Sequence, residues 1–188
     1  MPQTATYIAD MPGTSGTTMT MAITVEDDKV IAYATNGTND EAYFVGTQTA
    51  GQMDLASMYG DNLTASFDGS KVNGEITMND GESAPVSFAA SSVAAPAGLY
   101  TATQGNARAS FVVRPDRTMV GVMNNSAPGD HKVTDAIAAQ DQAFKDGVRQ
   151  MRLDQQMQQA PQMTYGTWSM TMNGTKVTAV RVTGGMAI

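Results

Sequence analysis

The stretch TTMTMAITVEDDKVIAYATN (residues 17–36) contains two apolar runs on either side of the acidic tripeptide Glu26-Asp27-Asp28. Within each run, apolar side chains recur at every second position, the period that places them on one face of a β-strand. A short acidic segment between two such runs is typical of a hairpin turn. The stretch therefore predicts two neighbouring antiparallel strands, Thr17–Val25 and Lys29–Asn36.

Similar runs, separated by turn residues, lie on both sides of this hairpin. The further predicted strands are Thr6–Asp10, Asp40–Thr47, Gln52–Met58, Asn62–Asp68, Lys71–Met78, Ala84–Ala89, Gly98–Thr103, Ala107–Arg114 and Thr118–Asn124. The turns between them include Asp68-Gly69-Ser70 and Asp80-Gly81, whose residue types favour tight hairpins. Many short strands joined by tight turns predict a mainly β fold, an antiparallel meander that closes into a barrel or folds into a sandwich.

Part of this pattern occurs twice in the chain. Residues 113–122 (VRPDRTMVGV) align without a gap with residues 25–34 (VEDDKVIAYA), and both turns have an aspartate at the same place. Upstream, Tyr100-Thr101-Ala102 matches Tyr7-Ile8-Ala9 in residue type. Two interpretations are open: the chain consists of two related halves, or two unrelated hairpins resemble one another.

The length of 188 residues and the hydrophobic content of 41% fit a single domain with a buried core. We predict one domain over residues 1–188, with a first β half at 5–90 and a second at 98–183. Residues 91–97 are predicted as a linker, because small residues and a proline replace the alternating pattern there.

A segment with a different period, from about residue 133 to 158, interrupts the second half. Its apolar residues fall on one stripe at helical spacing, namely Val133, Ile137, Phe144, Val148 and Met151. This stripe predicts one amphipathic helix, which we expect to cover one end of the β structure. Two closing strands, Thr164–Met172 and Lys176–Thr183, follow it and are joined by Asn173-Gly174, a pair typical of hairpin turns.

Charge and composition exclude several classes of partner. The formal net charge is −7, and the few basic residues form no cluster, so no nucleic acid is expected as a partner. The absence of cysteine excludes disulfides, zinc–thiolate sites and thiol catalysis. No apolar run approaches the ~18 residues of a membrane-spanning helix, so no transmembrane segment is expected.

No residue pattern predicts a catalytic centre. The only histidine, His131, has no cysteine or Gly-x-Ser-x-Gly partner, and a solvated loop position is the simpler interpretation. Carboxylates cluster at Glu26-Asp27-Asp28 and at Asp40-Glu41, but turn and strand-start positions predict solvated side chains, not the facing pair of a glycosidase. Residues 79–82 (NDGE) are only a fragment of a calcium loop. We therefore assign no catalytic residues and no cofactor.

Methionine is unusually frequent, with 15 residues, and two pairs occur at i, i+2: Met19 with Met21, and Met170 with Met172. This spacing puts both thioethers on one strand face, where they could bind Cu(I) or fill a core. No histidine or cysteine accompanies the pairs, so the core interpretation is favoured and no metal site is assigned. The tyrosines and the single Trp168 are spread along the chain and do not predict an aromatic binding platform.

Several segments resemble exported actinobacterial proteins. The similar segments are Tyr7-Ile8-Ala9, Ala22–Val25, Asp28–Tyr33, Asn36-Gly37, Gly98-Leu99-Tyr100, Phe111–Asp116, Met119–Val122 and Met172–Thr178. The group they resemble comprises lipoprotein-type, sensor-like β domains of the cell envelope with no assigned function. The resemblance implies an extracytoplasmic β fold without known catalytic residues. It also implies that the chain is a mature domain, secreted or envelope-anchored, without its signal peptide. The Gln- and Met-rich stretch Met151–Met163 departs from the pattern.

The leading hypothesis is a non-enzymatic extracytoplasmic module, a monomer, that binds a small apolar ligand or an envelope protein. Two alternatives stay open: a carboxylate-dependent hydrolase of envelope glycans, and a structural or assembly protein. A hollow barrel with one open mouth would favour a ligand carrier. An interior filled by methionine, valine and isoleucine would favour a partner at the surface.

Overall fold

The computed structural model describes residues 1–13, 16–81, 84–126 and 142–188. Within these ranges the chain forms fifteen strands and one helix. Their bounds are β1 Thr4–Pro12, β2 Thr18–Glu26, β3 Lys29–Thr35, β4 Glu41–Thr47, β5 Gln52–Ala56, β6 Asn62–Phe67, β7 Lys71–Thr77, β8 Val86–Ser92, β9 Gly98–Gln104, β10 Ala107–Val113, β11 Met119–Asn124, α1 Gln142–Leu153, β12 Met157–Gln159, β13 Ser169–Met172, β14 Thr175–Thr178 and β15 Val180–Arg181. No helix in the described ranges is long and apolar enough to cross a membrane.

The first eight strands form one antiparallel sheet that closes almost completely into a barrel. Their order is β4-β3-β2-β1-β8-β7-β6-β5, two four-stranded meanders joined where Tyr7 of β1 pairs with Ser92 of β8. The two outer strands, β4 and β5, meet at a single bridge between Phe44 and Ser57. The predicted antiparallel meander is therefore confirmed, and of the two predicted closures it adopts the barrel.

Side chains fill the interior of the barrel. One continuous buried cluster includes residues from all eight strands, for example Tyr7, Met21, Phe44, Leu63 and Ile76. An eight-stranded barrel is just wide enough for its own side chains to occupy the inside. The interior is therefore a packed core.

A second sheet, in the order β12-β11-β10-β9-β15, packs on the outside of the barrel. Tyr33 and Tyr43 on the outer barrel face meet Leu99 and Val112 of the second sheet, and all four are buried. Strands β2 and β3 are consequently covered on both faces. This double burial explains why residues 17–36 also have small and apolar side chains on the face that a lone barrel would expose to solvent.

The hairpin of β13 and β14 covers the other face of the second sheet. Met170 and Met172 of this hairpin pack with Phe111 and Met123 in another buried cluster. The predicted Asn173-Gly174 turn is confirmed, because Met172 pairs directly with Thr175. The predicted closing strands are wrong in extent: the first begins only at Ser169, and the second is divided between β14 and β15, which lie in different sheets.

The helix ends earlier than predicted and turns a different face inward. Residues 133 and 137 of the predicted stripe lie outside the described residues, as does His131. Val148 is buried, but Met151 is 53% exposed and Arg152 takes the inward position at 6% exposure. The prediction for Met151 was wrong because the barrel end beneath the helix offers carboxylates to a cation. The helix ends at Leu153, since residues 157–159 pair with β11.

Strand β8 continues through Ser92, so it enters the segment predicted as a linker.

The pairing of the strands agrees with the predicted repeat in the first hairpin of each half and differs from it in the second. Tyr7 pairs with Ile23, and Tyr100 pairs with Phe111. The two tyrosines match in the sequence comparison, and Ile23 and Phe111 correspond when the ungapped alignment is extended by two residues. In the second hairpin of each half the pairing differs by one residue, because the turn after β10 is longer than the turn after β2. A relation between the halves stays a prediction.

Candidate functional site

Five charged side chains converge where one end of the barrel meets the second sheet and helix α1. We call Asp40, Glu41, Asp61, Arg108 and Arg152 the rim cluster. Asp40 directly precedes β4 and Glu41 begins it; Asp61 precedes β6, Arg108 lies in β10 and Arg152 in α1. All except Asp40 are at most 7% exposed in their side chains. Charged residues are rarely buried unless they are paired, so this cluster is the most unusual polar feature of the described chain.

Arg152 ties the helix to the barrel through Asp61. Its guanidinium donates to both carboxylate oxygens of Asp61, with a distance of 2.7 Å from Nη1 to Oδ1. Asp61 also accepts hydrogen bonds from the hydroxyl of Ser57 and from the backbone N–H of Asn79. Burial lowers the pKa of Arg152, but Asp61 more than compensates and the net direction is upward. The guanidinium of Arg152 is therefore held in its charged form.

Neighbouring contacts fix the angle of the helix. The side-chain amide of Asn79 donates to the carbonyls of Tyr59 and Lys145, at 2.8 and 2.9 Å. The guanidinium of Arg149 in turn donates to the side-chain oxygen of Asn79. Asn79 was noted in the sequence as part of a calcium-loop fragment, but its amide is engaged in joining the barrel to the helix.

Glu41 and Arg108 form the second buried pair and join the barrel to the second sheet. Nη2 of Arg108 donates to Oε1 of Glu41 at 2.6 Å, and the guanidinium lies 4.6 Å from the ring centre of Tyr43. The hydroxyl of Tyr43 donates to Ser110 at 2.7 Å. Because successive strand residues face opposite sides, Arg108 and Ser110 share the face of β10 that points at the barrel.

Asp40 is the third carboxylate, and it is poorly compensated. Its Oδ1 lies 3.7 Å from Nε of Arg152, too far for a hydrogen bond. The pKa of Asp40 is raised to about 6, chiefly by burial and in part by the charge of Asp61, although Arg152 opposes the shift. Three carboxylates thus share two guanidinium groups.

The rim cluster encloses little space. The cavity between Glu41, Tyr59, Arg108 and Gln155 holds about 20 Å³, room for one water molecule. The two buried carboxylates, Glu41 and Asp61, are already paired with arginines. The cluster therefore connects the barrel, the second sheet and helix α1. The expectation that Asp40 and Glu41 are solvated was wrong for Glu41, which is 6% exposed. Sequence analysis also missed both arginines.

A wider recess lies on the second sheet, beside the free side of β11. We call it the β11 groove; its walls are Phe111, residues 117–121 and residues 159–165, with Gly37 at its margin. Its volume is about 1060 Å³, slightly above the usual range of small-ligand sites. Strand β12 accompanies β11 only as far as the bond from Ala160 N–H to the carbonyl of Gly121. Residues 161–163 form no strand pairing with β11, and the groove opens between them and this strand.

Tyr165 and Arg117 form one corner of this groove, and two further stacked rings adjoin Tyr165. Trp168 stacks on Tyr100 with ring centres 4.6 Å apart, and Tyr165 meets the edge of Trp168 at 4.9 Å. The guanidinium of Arg117 lies 5.1 Å from the ring centre of Tyr165. The aromatic residues are spread along the sequence, but the fold brings these three into contact.

Backbone conformation at this corner is also unusual. Trp168 has φ of 53° and Arg117 has φ of 72°, both in the left-handed region that bulky residues rarely adopt. Each conformation costs of order 1 kcal/mol or more and persists only where the surroundings enforce it. Here the turn bonds from Trp168 N–H to Thr164 and from Arg117 N–H to Arg114 hold them in place.

Other residues singled out in the sequence have structural surroundings. Met19 and Met21 lie in the barrel core, and Met170 and Met172 lie between the second sheet and the β13–β14 hairpin, all at most 4% exposed. Their surroundings support the core interpretation. In the part of the chain that is described, no group of three or more histidine, aspartate or glutamate residues is arranged to hold a metal ion.

Comparison with known proteins identifies no relative: no protein-family model, curated protein or solved structure matches this chain. Functional assignment therefore depends on the geometry of the site.

Proposed function

We propose that this chain is a non-enzymatic extracytoplasmic module that binds a ligand or a partner segment in the β11 groove. The observation that carries the proposal is the contrast between a filled barrel and an open, aromatic-cornered groove outside it. A packed interior leaves no room for the small apolar ligand considered from the sequence. Binding is therefore proposed at the surface.

The side chains of the groove corner are suited to binding. Tyr165 is 36% exposed, and Arg117 is exposed with its guanidinium held over the tyrosine ring. Aromatic residues and arginine supply much of the binding energy in protein interfaces, because they combine large contact area with defined hydrogen-bond geometry. A second recess, on the outer face of β5–β7, has about 660 Å³ but no aromatic residue in its lining.

The rim cluster supports this proposal because it anchors the chain that leads into the groove wall. Asn124 at the end of β11 donates to Gln155 at 2.9 Å, directly after the helix that Arg152 anchors. The chain then passes through β12 into the groove wall. Binding surfaces bind more tightly when they are preorganised, because less conformational freedom is lost on association. The extracytoplasmic part of the proposal rests on the resemblance and the low charge content, and fractionation of the native cells tests it.

Trp168 provides the test, since it is the only tryptophan and touches Tyr165 at the groove corner. Its fluorescence is titrated with a panel of neutral oligosaccharides, acidic oligosaccharides and unstructured acidic and basic peptides. We expect at least one class to bind saturably and to lose affinity in Tyr165→Ala and Arg117→Gln. Lys71→Gln, which removes an exposed charge on β7, is the matched control. If no class binds, or if binding is equal in all variants, the groove is not the site.

A further inference from the structure

The geometry points to an acidic polysaccharide, a sugar chain bearing carboxylate groups, as the ligand of the β11 groove. This inference rests on the proposed function and adds the chemical class of the ligand. It follows from three properties of the groove, namely its cation, its partly exposed tyrosine ring and its hydrogen-bonding wall.

The cation is Arg117. Among the described residues it makes no ion pair, whereas Arg114 nearby is paired with Asp10 at 2.8 Å. Tyr165 holds the guanidinium in position, so the planar fork of donors is preorganised. A guanidinium without an acidic partner is matched by a carboxylate in two parallel hydrogen bonds. In a chain of net charge −7, this local charge complements an anion where the molecule as a whole would repel one.

The ring of Tyr165 favours a sugar. Tyr165 lines the groove beside Arg117, and Trp168, which is itself stacked on the buried Tyr100, packs against it. One face of a pyranose carries mainly C–H groups, which pack on the face of an aromatic ring. A rigid, partly exposed ring offers this contact at little entropic cost.

The remaining wall supplies hydrogen bonds. Gln159, Gln162, Thr118 and Thr164 line the same groove. Amide side chains combine donors and an acceptor, which suits the adjacent hydroxyl groups of a sugar. An extended peptide fits less well: peptides commonly add to a sheet edge through several backbone bonds, but β12 already covers β11 up to Gly121. Only Met119 at the start of the strand is left for such pairing.

The experiment compares oligogalacturonates with neutral galactose oligomers of the same length. Trp168 fluorescence and calorimetry are measured on the full chain at two salt concentrations. We expect the acidic oligomer to bind at least about tenfold more tightly than the neutral one, because a charge-assisted pair is lost with the neutral sugar. Arg117→Gln should remove this preference, whereas Arg117→Lys should retain part of it and Tyr165→Ala should weaken both sugars. Lys71→Gln should leave both affinities unchanged.

The other outcomes separate the two proposals. Equal affinity for the two sugars, or an acidic preference that survives Arg117→Gln, would overturn the acidic-polysaccharide inference. Saturable binding of acidic peptides but of no sugar, lost in Tyr165→Ala, would overturn it while leaving the groove as the binding site. If neither sugars nor peptides respond to the groove variants, both proposals fail.

Discussion

Arg152 donates hydrogen bonds to both carboxylate oxygens of Asp61, a residue 91 positions earlier in the chain. The pair is buried and is the principal electrostatic link between helix α1 and the barrel. Removing one partner of a buried ion pair leaves the other charge without compensation, which is more costly than removing both.

Arg152→Met should therefore lower the free energy of unfolding by about 3–5 kcal/mol, as measured by urea denaturation at pH 7. The double variant Arg152→Met with Asp61→Asn should recover part of this loss, because no lone charge then stays buried. Arg149→Met, one turn earlier on the same helix, should cost less, about 1–2 kcal/mol, since it loses a partly exposed ion pair with Asp146 and its hydrogen bonds to Asn79 but leaves no buried charge without a partner. Equal losses in the two single variants would show that Arg152 stabilises the fold only through packing.

Asp40→Asn should stabilise the protein at neutral pH. The pKa of Asp40 is raised from 3.8 to about 6 in the folded state, so the folded state binds the proton more tightly than the unfolded state. The stability contributed by that proton is complete below pH 4 and is lost as the pH rises through 6. We expect the variant to exceed the wild type by about 1–3 kcal/mol at pH 7 and to approach it near pH 4.

Urea unfolding at a series of pH values gives the free energy of unfolding of the wild type and of Asp40→Asn. The decisive observation is the difference between the two curves, because other carboxylates act in the opposite sense. Burial alone would raise the pKa of Asp10, for example, but hydrogen bonds from Arg114 and Thr20 help to lower it overall. Protonation of Asp10 therefore lowers the free energy of unfolding of both proteins on acidification, and this contribution cancels in the difference. A difference that does not change between pH 4 and pH 7 would rule out Asp40 as the titrating group.

The observed helix face yields a prediction of its own. Val148 is buried at 7% exposure, whereas Met151 is 53% exposed. Val148→Ala should cost about 1–2 kcal/mol through lost burial and the cavity left behind. Met151→Ala should change the free energy of unfolding by less than about 0.5 kcal/mol. The stripe predicted from the sequence requires both losses to be similar, so thermal and urea unfolding of the two variants discriminate between the two orientations.

Most of the barrel could be predicted from the sequence because its determinants are local. The strand predicted at Lys29–Asn36 ends at Thr35 in the structure, and the acidic turn before it is where the prediction put it. Turn residues and alternation act over a few positions, and a meander pairs neighbours along the chain. The same local pattern does not distinguish a barrel from a sandwich, since that depends on how β1 meets β8.

The rim cluster could not be predicted in the same way. Glu41 and Arg108 are 67 residues apart, and the arginine lies in a short stretch of alanine and serine that gives no hint of a carboxylate partner. Arg152 falls beside the apolar stripe on a helical projection and reads as part of the polar face. Only the closure of the barrel and the docking of α1 bring these charges together. The aromatic corner of the groove depends on tertiary contacts in the same manner.

Two glycines separate local from tertiary effects most sharply. Gly147 lies in α1, and a Cβ added there would meet nothing within 4 Å. Gly147→Ala should therefore raise the free energy of unfolding by about 0.5–1 kcal/mol through better helix propensity alone. At Gly121 a Cβ would lie 2.1 Å from the carbonyl oxygen of Ser110 on the neighbouring strand. Because backbone must move to accept it, Gly121→Ala should cost about 1–3 kcal/mol or more. Gly121 also ends the ladder at the β11 groove, so this variant should alter Trp168 fluorescence, whereas Gly147→Ala should not. An unchanged free energy of unfolding in Gly121→Ala would contradict the close approach of β10 to β11 at this position.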